Sequence, residues 1–384
     1  MKILLLSNGI PTAKDPQFGS FAMDQAKALR AAGHDVGILS LNGLIGKRWS
    51  KLGFSDWTQE GIKCFESFGI PTEFIVLYVN EKLGIKLTKW WAKKAFKKIL
   101  KKFGMPDVVH AHFVTTMVQG AGIKEDYPIT LIGTEHWSKL AEDKLESRVR
   151  RYGEMAYPSV DKLICVSKNL GESVKRHFGK DYIVIHNLFN IELLKPVIKR
   201  TNNIEFTISA VGSLIPRKGF DILIKAIAAS SLRSKPVKVN IYGRGPSHED
   251  LQQLIQSSGL SDKINLCGQK SKAELYEELR KSDLFVLSSR LENFSVAMIE
   301  ATGNGLPAIA TLCGGIEEYP VPGVDKIKTD DIEEMKNALE KAYLNKDNID
   351  REQIQKETIK YFSPKAIIAQ VEKVYEDALK EKGI

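Results

Sequence analysis

Short apolar runs alternate with amphipathic stretches along this chain, and the pattern occurs twice. In the first half the runs are Ile3–Leu6, Val36–Leu41, Val108–Ala111, Ile129–Ile132, Leu163–Val166 and Ile183–Ile185, with helix-like stretches such as Phe21–Ala32 and Leu170–Phe178 between them. A polar break, "KPVIKRTNNIEF", precedes the second set: Phe206–Val211, Val237–Tyr242, Ile264–Cys267, Leu284–Leu287 and Ala308–Ala310. Continuous apolar strands separated by helices predict parallel sheets covered on both faces. Two such halves predict an α/β chain of two facing, doubly wound, Rossmann-like domains over 1–190 and 200–360. Residues 361–384, with "FSPKAIIAQVEKVYEDALK", read as a terminal amphipathic helix that packs back on the first domain. Open sheets bind ligands beyond the carboxyl ends of their strands, so the cleft between the domains is the expected site.

The chain has 384 residues and a formal charge of +9, a length too great for one ordinary core and suited to two. The basic balance admits nucleic acid, an anionic membrane or a phosphate-bearing ligand, and equally a lysine-rich surface with no partner. The four cysteines, Cys64, Cys165, Cys267 and Cys313, are far apart and form no C-x-x-C. They read as buried reduced thiols of a cytoplasmic protein. The start, "MKILLLSNGIP", is too short in its apolar part for a signal peptide or a membrane span.

The unusual residues follow the strands. "VGSLIPRKGFDILIKAI" puts Ser213, Arg217, Lys218 and Gly219 between a strand and a helix. Glycine permits close backbone approach, a helix start offers N–H groups and a positive dipole end, and a lysine completes an anion site suited to a diphosphate. The same stretch also reads as an ordinary turn with solvent-facing basic residues. "SNGIPTAKDPQFGSFAMDQAKAL" carries Gly9, Gly19 and Ser20 before a helix but lacks G-x-G-x-x-G, which disfavours a nicotinamide cofactor. "IYGRGPSHEDL" contributes only a lone G-x-G, Gly243 and Gly245. His110, His112 and His136 stand at strand ends in "VVHAHFV" and "IGTEHWSKL", where a histidine serves either a ligand or the fold. No H-E-x-x-H, paired cysteines or D-x-D suggests a metal, so the expected site is metal-independent and needs no cofactor.

"LENFSVAMIEATGNGLPAIAT" carries Glu292 and Glu300 with seven residues between them. On a helix that spacing separates the carboxylates by ~12 Å, the reach between distant parts of one extended ligand. Glu292 would sit in the loop at the helix start and Glu300 two turns on, one meeting a sugar hydroxyl and the other a ribose diol, with the helix start near Asn293–Val296, including Phe294 and Ser295, aimed at the phosphates. Two surface glutamates on a helix are the plainer reading. Elsewhere, "KLTKWWAKKAFKKILKKFG" holds eight lysines and no acidic residue, with Leu87, Trp90, Trp91, Ala95, Ile99 and Phe103 near helical spacing. It suits an interfacial helix on an anionic leaflet, or a domain helix with solvated lysines.

Taken together, these stretches resemble the family 4 glycosyltransferases over nearly the whole chain. The resemblance lies in "FGSFAMDQAKALRAAGHDV", "DVVHAHF", "TEHW", "VSKNLGESVKRHFG", "VIHNLFN", "VGSLIPRKGFDILIKA", "SDLFVLSSRLENFSVAMIEATGNGLPAIAT" and "GGIEE", in this order. The Glu-x7-Glu signature followed by the G-x-P-x-x-x-T strand is its most specific part. It implies the two-domain GT-B fold, retention of anomeric configuration, and a UDP- or GDP-linked sugar as donor. It implies ribose binding by Glu300, contact of Glu292 with the donor sugar, and a diphosphate held by Lys218. It also implies that His136 contacts the donor sugar near the reacting carbon, and that the Gly19 loop approaches the phosphates. His136, Glu292 and Lys218 are thus the catalytic candidates. Gly19, Ser213, Arg217, Lys218, Asn293, Phe294, Ser295 and Glu300 are the donor-binding candidates. The family often has arginine where Ser213 stands and glycine where Ser295 stands, and the segment after Gly314-Gly315 is shorter than usual.

The expected activity is a metal-independent, retaining transfer of a sugar from a nucleotide diphosphate to a hydroxyl of a cell-surface polysaccharide or glycolipid. The enzyme would work in the cytoplasm, docked at the inner membrane face through Lys86–Lys102, with no nucleic-acid partner. The rivals are a nucleotide-sugar epimerase of the same fold, which needs no acceptor, and a non-catalytic nucleotide-sugar-binding protein.

Overall fold

Strands form where apolar runs meet no polar interruption. The computed structural model describes residues 1–12, 18–43, 53–69, 80–197 and 205–383. The chain divides into two units, Met1–Leu188 with Pro364–Ile384, and Phe189–Ser363.

The first unit holds β1 (Lys2–Ser7), β2 (Asp35–Gly43), β3 (Gly53–Gln59), β4 (Ile62–Gly69), β5 (Val108–His112), β6 (Thr130–Glu135), β7 (Lys162–Cys165) and β8 (Ile183–Val184). They lie in the order β3-β4-β2-β1-β5-β6-β7-β8. All pairs are parallel except β3 with β4. Ile3, Leu4, Leu5 and Leu6 of β1 are fully buried, as expected of a central strand covered on both faces. The helices are α1 (Ser20–Ala31), α2 (Glu81–Phe103), α3 (Val114–Asp126), α4 (Ser147–Ala156) and α5 (Lys168–Phe178). Helix α1 buries Ala22, Met23, Ala26 and Leu29, the i, i+3, i+4 stripe that a sheet-covering helix needs.

The second unit holds β9 (Phe206–Val211), β10 (Val237–Tyr242), β11 (Ile264–Gly268), β12 (Leu284–Leu287), β13 (Ala308–Thr311) and β14 (Val324–Ile327). This sheet is parallel throughout, in the order β11-β10-β9-β12-β13-β14. Its helices are α6 (Phe220–Ala229), α7 (His248–Ser257), α8 (Lys272–Lys281), α9 (Val296–Gly303), α10 (Ile332–Leu344) and α11 (Arg351–Phe362). The last helix, α12 (Pro364–Glu381), belongs to the first unit, where Ile367, Ile368, Val371, Val374, Tyr375 and Ala378 join the cluster around Ile3, Leu5 and Met23. Ser363 and a proline at the first helical position separate it from α11. Both units are therefore α/β layers around a parallel sheet.

Two features lie outside the pattern of apolar runs. Strands β3 and β4 form a hairpin whose turn residues Glu60 and Gly61 both have positive φ, 51° and 77°. Strand β3 sits at the sheet edge, mostly exposed, so "GFSDWTQ" carries no apolar run to read. Strand β14 is likewise a polar edge strand.

Helix α2 packs as a domain helix. Ile85, Thr88, Trp91, Ala92, Ala95, Phe96, Ile99 and Phe103 are buried, and the Trp91 indole N–H donates to Ser67 Oγ at 2.9 Å. Trp90, expected on the apolar face, points outward and is 51% exposed.

Candidate active site

In each sheet the strand order reverses beside the first strand of its unit. The first unit's sheet reverses between β1 and β5, and the second's between β9 and β12. Such a reversal splays the two following loops apart and leaves strand-end groups accessible to a ligand. In the second unit the loops beyond the reversal are 212–219, after β9, and 288–295, after β12. They carry Ser213, Arg217, Lys218, Glu292, Asn293, Phe294 and Ser295.

The two loops are tied together at several points. Arg290 N–H donates to Arg217 O at 2.8 Å, and an Arg217 guanidinium N–H donates to Leu291 O at 3.2 Å. Ser288 Oγ–H donates to Lys218 O at 2.9 Å. The Arg290 guanidinium binds both Asp221 carboxylate oxygens at 2.9 Å, and also meets Asp330 and Pro216 O. The Lys218 ammonium donates to Glu292 Oε1, which also accepts from Ser289 Oγ–H at 3.0 Å. The Lys218 and Glu292 side chains are only 15% and 11% exposed, so the charge pair is desolvated yet still reachable. Ser213 is exposed on the same turn.

Helix α9 begins within the expected stretch 293–296, after Glu292. Its N-cap is Ser295, whose Oγ accepts from Met298 N–H at 3.4 Å, so Glu292 and Asn293 lie before the helix. The 12 Å helical rise between the two glutamates is therefore corrected. Glu292 instead forms a parallel bridge with Gly314, and its N–H donates to Cys313 O at 2.7 Å. Gly315 is required beside this bridge, because a Cβ there would lie 2.0 Å from Asn293 O. Phe294 does not line the turn but packs against Tyr319 and Phe362, at ring-centroid distances of 6.0 and 5.5 Å. Glu300 is on α9 itself, buried, with the Lys272 ammonium 3.3 Å from its Oε1.

Gly19 and His136 stand in the first unit. Gly19 caps α1 with φ 77°, and a Cβ there would lie 2.0 Å from Gly9 O, so the loop after β1 closes only with glycine. His136 follows β6. Its ring stacks on His112 (5.3 Å, 27°), which stacks on His110 (4.6 Å, 20°), and Phe21 and Phe113 flank it at 5.2 and 5.0 Å. His112 Nδ1 and His136 Nε2 are 3.1 Å apart and share one hydrogen bond. His110 is anchored by the Tyr375 hydroxyl and Thr134 Oγ1, each at 2.6 Å. Burial pushes His110 down to about 3 and His136 down to about 4, with a hydrogen bond to Asn187 opposing the shift at His136. Burial also holds His112 well below the ordinary imidazole range. His136 is thus a neutral donor or acceptor at physiological pH.

Sequence reasoning missed Arg290, Ser289 and Lys272. Lys272 follows Ser271, which forms a capping box with Glu274, so "SKAE" marks the helix start but not the partner of its lysine. Among the described residues, no group of three or more His, Cys, Asp or Glu side chains is placed to hold a metal ion.

The family description "Glycosyltransferase Family 4" matches residues 19–193, and "Glycosyl transferases group 1" matches residues 195–361. Together they span nearly the whole chain, which belongs to the family 4 glycosyltransferases built from this pair of GT-B domains. An uncharacterized glycosyltransferase of Methanocaldococcus jannaschii is 29% identical over 294 residues, covering 74% of this chain and 79% of its own length. The fold is similar to that of sucrose-phosphate synthase from Thermosynechococcus elongatus, with a TM-score of 0.79, 18% identity and 99% coverage of both chains. It is also similar to that of HepE from Anabaena, solved with UDP, with a TM-score of 0.71, 18% identity and coverage of 98% and 100%.

Proposed function

We propose that the chain is a metal-independent, retaining hexosyltransferase that moves a sugar from a UDP- or GDP-linked donor to a hydroxyl of a cell-envelope polysaccharide or glycolipid. The observation that carries this reading is the desolvated Lys218–Glu292 pair at the strand-order reversal of the second sheet. A partly buried ammonium there neutralises the charge that develops on a departing diphosphate, the task that a metal serves in other transferases. Arg217 adds a second cation on the same turn. Glu292 accepts a hydroxyl of the donor sugar, and Glu300 accepts the ribose diol. His136 meets the sugar as a neutral group. The acceptor hydroxyl attacks from the face the diphosphate leaves, and a phosphate oxygen takes its proton. That HepE was solved with UDP supports the choice of donor class.

The test is a panel of nucleotide sugars assayed for nucleotide release with and without acceptor, in excess chelator. UDP or GDP raises the melting temperature in the same buffer, by an amount that grows with ligand concentration as mass action requires. An absolute need for Mn²⁺ or Mg²⁺ in binding and turnover would sink the metal-independent reading.

Helix α2 supports a docking site for an anionic leaflet, which would bring a cytoplasmic enzyme to a lipid-linked acceptor. Among the described residues no helix is long and apolar enough to cross a membrane. The outward stripe of α2 carries Lys86, Trp90, Lys94, Lys97 and Lys101, all exposed, and Leu83, which is 46% exposed. Lys89 and Lys93 are instead paired with Glu125 and Asp126, and Lys102 with Asp56. Each free lysine at an anionic surface contributes ~1 kcal/mol before screening. The chain is therefore expected to co-sediment with phosphatidylglycerol vesicles at low salt and not with phosphatidylcholine vesicles. Charge reversal at Lys94, Lys97, Lys98 and Lys101 removes that binding and spares turnover on a soluble acceptor. No binding even at low salt would leave α2 as a packed helix alone.

A further inference from the structure

The last residue of β6 is a glutamate with no exposed surface. A carboxylate in that position needs strong partners to offset its lost hydration. Glu135 Oε1 accepts the N–H groups of His136 and Trp137, each at 2.9 Å, and Oε2 accepts the Tyr157 hydroxyl at 3.1 Å. The N–H of Val114, the first residue of α3, donates to it as well. One carboxylate thus gathers main-chain donors from two turns, the one after β5 and the one after β6. Phe113, immediately before Val114, has φ 71°, a conformation costly for a bulky side chain and kept only when its surroundings hold it. The His136 ring lies against Phe113 and His112, so its place depends on both turns.

We propose that Glu135 is a positioning residue for His136, its ionised carboxylate locking the two turns that set the imidazole. The inference rests on the part assigned above to His136. Charge-assisted hydrogen bonds are roughly twice as strong as neutral ones. A protonated acid or an amide has fewer lone pairs and presents a donor of its own to a site full of donors. The titratable side chains that meet Glu135 are Tyr157 from the turn after α4 and Cys165 from β7, while His136 meets it through its main-chain N–H. Burial lifts the Glu135 carboxyl from 4.5 to about 7, against the pull of its hydrogen bonds. The three histidines have already lost their protons below that range, so within this cluster Glu135 is the group that changes charge near neutrality.

Two opposite pH dependences follow. Ionisation engages the turns, so kcat rises from about pH 6 to about pH 8. Because the folded carboxyl sits above its unfolded value, its contribution to stability is full below the unfolded value and is lost as pH rises through about 7. The melting temperature therefore falls from about pH 4.5 to about pH 7 and levels off above it, so its decline precedes most of the rise in kcat.

Glu135→Gln tests this, assayed with the donor that the panel selects. The expected result is a kcat lowered about tenfold, with donor KM and UDP or GDP affinity within about twofold of wild type. Both pH dependences flatten in the variant. In the His136→Ala background the same change costs nothing further, because the two residues act as a unit. Wild-type kcat with an unchanged pH limb, or additive losses in the double variant, overturns the proposal. Amide exchange at His136 and Trp137 in the wild-type chain needs neither variant nor turnover. For a local opening that breaks these two hydrogen bonds while the carboxyl stays buried, protection corrected for intrinsic rates must increase as the pH passes about 7, and constant or falling protection also overturns the proposal. If no donor turns over, the transferase reading fails while the exchange result still decides whether the carboxylate holds the turns.

Discussion

Lys218→Met lowers kcat/KM by about a hundredfold to a thousandfold, the range seen when a single preorganised group is removed from a developing negative charge. Methionine keeps the aliphatic stem, whose Cδ and Cε lie along the Gly212 backbone, within 3.2 Å of where a Cβ on Gly212 would be. What is lost is the ammonium. The change also leaves Glu292, a carboxylate 11% exposed, without its lysine and still accepting from Ser289 Oγ–H. Such orphaned charges are strongly destabilising, so the melting temperature drops by several degrees. The stability loss and the activity loss have different origins, and a second substitution separates them. Lys218→Met with Glu292→Gln removes the orphaned charge while keeping an oxygen for Ser289. The double variant should recover most of the melting temperature and none of the turnover. Recovery of turnover would mean that Lys218 serves only to neutralise Glu292, and the diphosphate would then need another cation.

Much of the fold was legible because buried parallel strands write themselves as unbroken apolar runs. "LFVL" of β12 and "FTISAV" of β9 are read directly, since both sheet faces bury their side chains. The β3–β4 hairpin was not legible, because an exposed edge strand has no burial to enforce a pattern. The loops that carry the candidate site were also legible, as glycines and charges clustered after strands. Their internal geometry was not. Lys218 and Glu292 are 74 residues apart, and only the β9–β12 pairing brings their loops together. The helical spacing of Glu292 and Glu300 misled for a local reason. The bridge to Gly314 holds Glu292 ahead of the helix, residues 293 and 294 follow as a bend, and Ser295 caps the helix later than the apolar stripe suggested. Glu135 was passed over because a glutamate at the end of an apolar run looks like the start of a polar loop, whereas here it is the buried anchor of one.

The two glutamates of the signature should fail in different ways. Glu300 is buried on α9, and its carboxylate is shared with the Lys272 ammonium at 3.3 Å, 36% exposed. A carboxylate has about four lone-pair sites, so it can hold that ammonium and still accept both hydroxyls of a ribose. Each charge-assisted hydrogen bond to the diol is worth ~1.5–3 kcal/mol. Glu300→Ala therefore weakens UDP or GDP binding by roughly tenfold or more, measured by calorimetric titration. Lys272→Ala is the control: it removes the cation without removing the acceptor, and it should leave nucleotide affinity within about threefold. Glu292→Ala acts elsewhere. Its carboxylate is held by Lys218 and Ser289 at the strand-order reversal, and its proposed partner is a hydroxyl of the sugar. Free nucleotide carries no such hydroxyl, so its affinity survives and turnover of the nucleotide sugar falls. Releasing Lys218 from its counter-ion can even tighten free diphosphate, which makes the contrast with Glu300→Ala sharper. Equal losses of free-nucleotide affinity in the two variants would show that both glutamates serve the same part of the ligand, and the assignment of sugar to one and ribose to the other would fall.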